Sequence, residues 1–214
     1  MRKEKQKDIY TAIGLLLTFA LWTALICFVD VQAIGPNNST VGLAAINRFV
    51  HDLTGVHMSL YVITDWLSLV PICFSMGFAL FGLGQWIKKK HLLKVDRSIL
   101  ALGVFYVAVI AAYCFFEMFP LNYRPILING YLEVSYPSST TMLVLCIMTT
   151  AIMQFNARID NIIIRRYIIF AMTTFMTFMV LCRLLSGVHW FTDIVGSVLL
   201  SALLVKAYQI FESV

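Results

Sequence analysis

An arginine, a histidine and an aspartate fall inside one of the most apolar stretches of the chain, Cys182-Arg183-Leu184-Leu185-Ser186-Gly187-Val188-His189-Trp190-Phe191-Thr192-Asp193. Ionisable groups near a membrane helix end cost several kcal/mol unless paired or hydrated, so such a cluster signals a functional site. His189 and Asp193 are spaced one helical turn apart on one face, where a carboxylate can fix an imidazole tautomer and steady its cation. Arg183 and Arg124 offer planar forks suited to phosphate oxygens. Ser138 and Ser139 precede an apolar run and can offer hydroxyls and helix N-terminal N–H groups to an anion. In outline this is a phosphate cradle. With His189 as nucleophile, oriented by Asp193, it supports phosphoryl transfer through a phosphohistidine with no metal.

The rest of the chain must hold these groups in a bilayer. With 60% hydrophobic and 13% charged residues and a mean hydropathy of +0.85, the 214-residue chain is too apolar for a soluble domain. Six segments meet the roughly 20-residue requirement of a spanning helix, near 9–32, 60–86, 98–119, 139–155, 167–185 and 190–211. Unbroken apolar runs favour helices over a β-barrel, whose strands would alternate. The first run follows a basic start but is too long for a signal peptide and lacks a small-residue cleavage site, so it is expected to be a retained span. If six spans alternate, Arg2, Lys3, Lys5, Lys7, Lys88, Lys89, Lys90, Lys94, Arg97, Arg158, Arg165, Arg166 and Lys206 share one face, expected to be cytoplasmic along with both termini. Arg48, Arg124 and Arg183 fall opposite. The net charge of +5 then reflects topology and contact with anionic lipid, with no need for nucleic acid.

The outer connections carry the longer pieces. Residues 33–57 place Leu43, Ile46, Phe49, Val50 and Leu53 at helical spacing, with Asn47, Arg48, His51 and Asp52 on other faces, as in an interfacial helix. That helix is a plain connector or a gate for lipid, and His51 and His57 read as hydrated loop histidines. Pro120 to Ser138 reads as an ordered loop with turns. Cys27, Cys73, Cys114, Cys146 and Cys182 suggest neither a disulfide framework nor a zinc site and are expected to pack. Asn37 to Thr40 holds glycosylation sequons that matter only in a eukaryotic secretory pathway. Asp30 and Asp65 read as polar residues at span ends, with Asp65 facing the bundle interior as the alternative. The topology brings Arg124, Pro137-Ser138-Ser139-Thr140, Arg183, His189 and Asp193 to one face.

On these residues the chain resembles the type 2 phosphatidic acid phosphatases, membrane lipid phosphatases that share a core with vanadium haloperoxidases. The resemblance spans 117–193. The family's third motif, Ser-Arg, five residues, His, three residues and Asp, is similar to Arg183, His189 and Asp193, with Cys182 in place of the serine. The second, Pro-Ser-Gly-His, is matched by Pro137-Ser138-Ser139-Thr140, and the first, Lys, six residues and Arg-Pro, by Glu117 to Arg124-Pro125. The resemblance implies His189 as nucleophile, Asp193 as its orienting partner, Arg124, Ser138, Ser139 and Arg183 as phosphate ligands, and no metal or cofactor. Thr140 stands where the family has a proton-donating histidine, and Glu117 where it has a phosphate-binding lysine.

These departures bear on substrate. An alkoxide leaving a phosphate monoester needs a proton donor, worth about 10²- to 10⁴-fold, and Thr140 is none. A phosphate leaving a diphosphate is far less basic, its second pKa being about 6. A prenyl or other lipid diphosphate is therefore the expected substrate. Glu117 either pairs, with Arg124 as one candidate, or faces away from the site.

The expected architecture is a single all-α membrane domain, 1–214, of six transmembrane helices carrying the type 2 phosphatidic acid phosphatase core. It lies in the plasma membrane, with the site extracytoplasmic and lipid arriving sideways. No oligomeric state follows from the sequence. Other readings stay open: Arg183 as a snorkelling residue, His189 beside Trp190 as part of an aromatic belt, the Ser138-to-Thr140 run as a helix cap, and the whole as a non-catalytic protein binding phospholipid or a partner. A transporter is disfavoured by the lack of paired mid-membrane charges and of a broken-helix repeat.

Overall fold

Backbone polar groups in hydrocarbon must be satisfied within their own segment. In the computed structural model, which describes residues 2–212, this gives an all-α protein. Its helices are α1 (Arg2–Phe28), α2 (Ala44–Thr54), α3 (Met58–Leu67), α4 (Leu69–Lys89), α5 (Arg97–Met118), α6 (Ser139–Arg158), α7 (Ile162–Leu185) and α8 (Phe191–Glu212). Six spans are long and apolar enough to cross a membrane, α3 and α4 together forming the second, Met58–Lys89. The expected spans are all present with altered ends. The first stops at Phe28 instead of reaching 32, and the fourth runs on to Arg158.

The second span runs on through a single residue, Ser68, which keeps right-handed helical angles (φ −64°, ψ −16°) between α3 and α4. Pro71 in the first turn of α4 lacks an N–H and so removes one bond from the helical ladder there, while the Ser68 hydroxyl donates to the Asp65 carbonyl at 2.5 Å. The α3 part of the span reaches the site.

Helix α6 is the central post: 56% of its most apolar window is buried, against 6% for α1 and for the α3–α4 span. It packs on α4, α7 and α8, while α8 also packs along α1. Met142, Val144 and Met148 of α6 join Leu102 and Phe105 of α5 and Leu200 of α8 in the core. Lower down, Gln154 donates to the Tyr208 hydroxyl at 2.9 Å and accepts from Arg158 Nε at 3.1 Å. The basic ends of α4 and α6 lie away from the start of α6 and the end of α7. There Arg158 pairs with Asp96 at 3.2 Å, and Lys206 pairs with Asp8 at 2.6 Å.

Helix α2 forms as its spacing suggests, except that Leu43 lies just outside it with a left-handed φ of 50°. Its apolar residues Ile46, Phe49 and Leu53 face outward, Arg48 and Asp52 are exposed as well, and Ala44 and Asn47 pack on the protein. Asn47 is fully buried, donating to Thr192 Oγ1 at 2.9 Å and accepting from the Thr192 N–H at 3.1 Å. Asp30 holds the helix start, accepting from the Ala45 N–H at 2.7 Å, and that bond lowers its carboxyl pKa from the ordinary value.

Candidate active site

The outer loop between α5 and α6 is folded by its own sequence into a narrow hairpin. Asn129 and Gly130, at φ 52° and 84°, make its tip, a pair suited to a tight hairpin turn. The limbs then lie side by side, with the Arg124 N–H donating to the Glu133 carbonyl at 3.0 Å and the Ser135 N–H to the Asn122 carbonyl at 2.9 Å. One limb thus delivers Asn122 and Arg124, the other Glu133 and Ser135. The α7–α8 connection delivers His189. Gly187 there has a φ of 67°, and a Cβ would stand 2.1 Å from the Gly55 carbonyl oxygen, so the turn demands glycine.

The helix α8 begins only at Phe191, so His189 and Asp193 do not share a helix face. Their direct pairing, expected from spacing, is replaced by a relay. His189 Nδ1 lies 3.0 Å from Ser135 Oγ, and Ser135 Oγ donates to Asp193 Oδ2 at 2.5 Å. Asp193 also accepts from Asn122 Nδ2 at 3.2 Å and from the Trp190 N–H at 2.9 Å, the latter capping α8. The serine has one proton and directs it at the carboxylate, so toward the ring it can only accept. Nδ1 therefore carries the imidazole proton, and Nε2 presents its lone pair.

His189 is 4% exposed and its Nε2 has no partner. Burial, then the charges of Arg124 and Arg183, hold its pKa well below the ordinary 6.5. The ring is neutral at pH 7. Trp190 is equally buried and donates to the Tyr123 carbonyl at 2.8 Å, which removes the aromatic-belt reading.

Arg183 is 2% exposed, so it does not snorkel. Its Nη1 donates to Thr64 Oγ1 at 3.0 Å and the Tyr61 carbonyl at 3.3 Å, and its Nη2 to Thr140 Oγ1 at 2.7 Å. Asp65 Oδ1 lies 3.7 Å from Nη2, so this span-end residue does reach the site. Arg124 pairs with Glu133 at 3.1 Å and not with Glu117, which is exposed in the last turn of α5. The two guanidinium carbons lie 4.9 Å (Arg183) and 5.7 Å (Arg124) from the centre of the Tyr61 ring. Arg183 Nε and Arg124 Nε and Nη1 are buried with no partner.

Ser138 is the N-cap of α6, its hydroxyl accepting from the Thr141 N–H at 3.5 Å, as the cap reading has it. Its backbone N–H reaches the Asp193 carbonyl at 3.3 Å. Ser139 instead lines a narrow cleft with Tyr113, Glu117, Tyr136, Pro137 and His189, of about 10 Å³. That is room for one water. A second, apolar groove of about 250 Å³ lies between α5 and α6, lined by Ile110, Tyr113, Met142 and Leu143, and meets Ser139 and Thr140.

The structure thus brings His189, Arg124, Arg183, Ser139 and Glu117 around one region, with Asp193 behind the imidazole and Ser138 in the cap. Sequence reasoning missed Ser135, Asn122, Glu133, Tyr61 and Thr64. The Asn129-Gly130 pair was the available signal for the first three, because a tight turn there sets Asn122 against Ser135. Among the described residues no group of three or more His, Cys, Asp or Glu is placed to hold a metal ion.

Six membrane helices closing over an arginine-flanked imidazole define an integral membrane protein with the fold of the transmembrane PAP2-type phosphatases. The chain is similar to a solved structure of a transmembrane PAP2-type phosphatidylglycerolphosphate phosphatase from Bacillus subtilis, with a TM-score of 0.55. Identity is 17%, over 95% of this chain and 96% of that one, and the likeness establishes a shared fold. No protein-family model and no curated protein matches the chain.

Proposed function

We propose that the protein is a membrane lipid phosphatase acting on a prenyl or other lipid diphosphate through a phosphohistidine on His189. The observation that carries this reading is a group of buried, unpartnered nitrogens at the site: His189 Nε2 and three guanidinium nitrogens, Arg183 Nε and Arg124 Nε and Nη1. Buried donors of this kind are rarely left unsatisfied, and an anion suits all three guanidinium nitrogens. The structural neighbour is a phosphatidylglycerolphosphate phosphatase, which supports the coarser class of a membrane lipid phosphate as substrate.

The lipid tail occupies the groove between α5 and α6, and the diphosphate meets the cleft at Ser139. Arg124 and Arg183 hold the terminal phosphoryl oxygens and stabilise the charge that develops in flight. Nε2 attacks the terminal phosphorus, the bond to the bridging oxygen breaks, and its electrons leave on the lipid monophosphate. Ser135 accepts the Nδ1–H bond, and Asp193, behind it, steadies the cationic ring. Thr140 accepts from Arg183 and supplies no proton, an alcohol being too weak an acid, and a phosphate leaving group needs none. The distribution of Lys and Arg supports a site on the extracytoplasmic side with both termini inside, and the plasma membrane is the location this reading takes.

Purified protein in detergent micelles is expected to release phosphate faster from undecaprenyl diphosphate than from phosphatidate. Vanadate should inhibit it as a transition-state mimic, and His189→Ala should abolish release. Release that survives His189→Ala refutes the assignment. A second reading, a non-catalytic phospholipid binder, is favoured by Thr140 standing bonded to Arg183 with no proton donor in its place. Vanadate binding with no phosphate release from any lipid would establish it.

A further inference from the structure

The relay accounts for phosphorylation of His189 but leaves open which group takes the proton of the water that cleaves the phosphoenzyme. The carboxylates around the site are mostly committed. Asp193 accepts three hydrogen bonds behind the ring, Glu133 pairs with Arg124, and Asp65 faces Arg183. Tyr136 shares its hydroxyl with Thr23 at 2.7 Å, and burial pushes its phenol pKa up. Among the residues lining the cleft beside His189, Glu117 is the only carboxylate, with Tyr113 facing it from one turn earlier on α5.

His189 is buried and Glu117 exposed among the residues that line this one-water cleft. A water held there has the Glu117 carboxylate in its wall, and attack in line with the P–N bond calls for such a base on the side of phosphorus away from Nε2. We propose that Glu117 is the general base of dephosphorylation, a role that rests on the phosphohistidine reading above. The water oxygen bonds to phosphorus as its proton passes to the Glu117 carboxylate. The P–N bond breaks and its electron pair returns to Nε2, leaving neutral His189 with its proton still on Nδ1. Glu117 then gives its proton to solvent as hydrogen phosphate departs.

The test is rapid-quench kinetics of Glu117→Gln on radiolabelled undecaprenyl diphosphate. The first turnover should survive, as a burst of lipid monophosphate close to one per protein. Steady-state phosphate release should fall by about 10²- to 10⁴-fold, and an acid-labile, base-stable phosphoenzyme should accumulate. Glu117→Asp, which keeps a carboxylate, should accumulate less. Unchanged turnover, or burst and turnover falling together, overturns the assignment. If the wild type itself shows no phosphate release, or His189→Ala keeps it, the underlying reading fails instead.

Discussion

Ser135→Ala isolates the relay more cleanly than any change to the groups it joins. The hydroxyl contacts His189 Nδ1 at 3.0 Å and Asp193 Oδ2 at 2.5 Å. Its loss removes the acceptor that fixes the tautomer and one of three donors to the carboxylate. A hydrogen bond to a charged group is worth about 1.5–3 kcal/mol. At about 1.4 kcal/mol per factor of ten, the rate of phosphorylation should fall by about 10- to 150-fold, with KM little changed because no phosphate contact is touched. The assay is single-turnover release of lipid monophosphate from a saturating lipid diphosphate. A second arm combines Ser135→Ala with Asp193→Asn. If Asp193 acts on the ring through Ser135, the double variant should be scarcely slower than Asp193→Asn alone, since residues acting as a unit are non-additive. Ser135→Ala within twofold of wild type, or losses that multiply in full, would refute the relay.

Two other outcomes follow from the same geometry. Thr140→His places a proton donor beside the leaving oxygen and should raise hydrolysis of phosphatidate more than that of undecaprenyl diphosphate, with an upper bound of about 10²- to 10⁴-fold; equal gains would contradict the leaving-group argument. The folded-state pKa of His189 lies well below 6.5, so the ring stays neutral and nucleophilic as pH falls through 6.5. The acid limb of kcat/KM should therefore lie below that value, and Arg124→Gln, which removes a positive neighbour, should move it upward. A downward movement would count against the assignment.

The membrane architecture was largely legible because bilayer spans carry their signal in composition over some twenty residues. Pro71 lies inside the second span without ending it, since Ser68 before it keeps helical angles. Arg183, Arg124 and His189 stood out because charge inside apolar sequence is costly. Ser135 and Asn122 did not, since a loop serine or asparagine has no periodicity and its partners lie far along the chain. The spacing of His189 and Asp193 misled for a local reason. Asp193 caps α8 through the Trp190 N–H, so the helix that would have aligned the pair starts too late.

The second span also bears on how the molecule meets membranes of different thickness. Its α3 segment is ten residues long, about 15 Å, and its Tyr61 and Thr64 hold Arg183. A mismatch between span and hydrocarbon depth is ordinarily absorbed by tilt, and because Ser68 keeps helical angles between α3 and α4 the span tilts as one rod. Tyr61 and Thr64 ride on that rod, so a thinner or thicker leaflet is felt at the arginine as well as in the lipid.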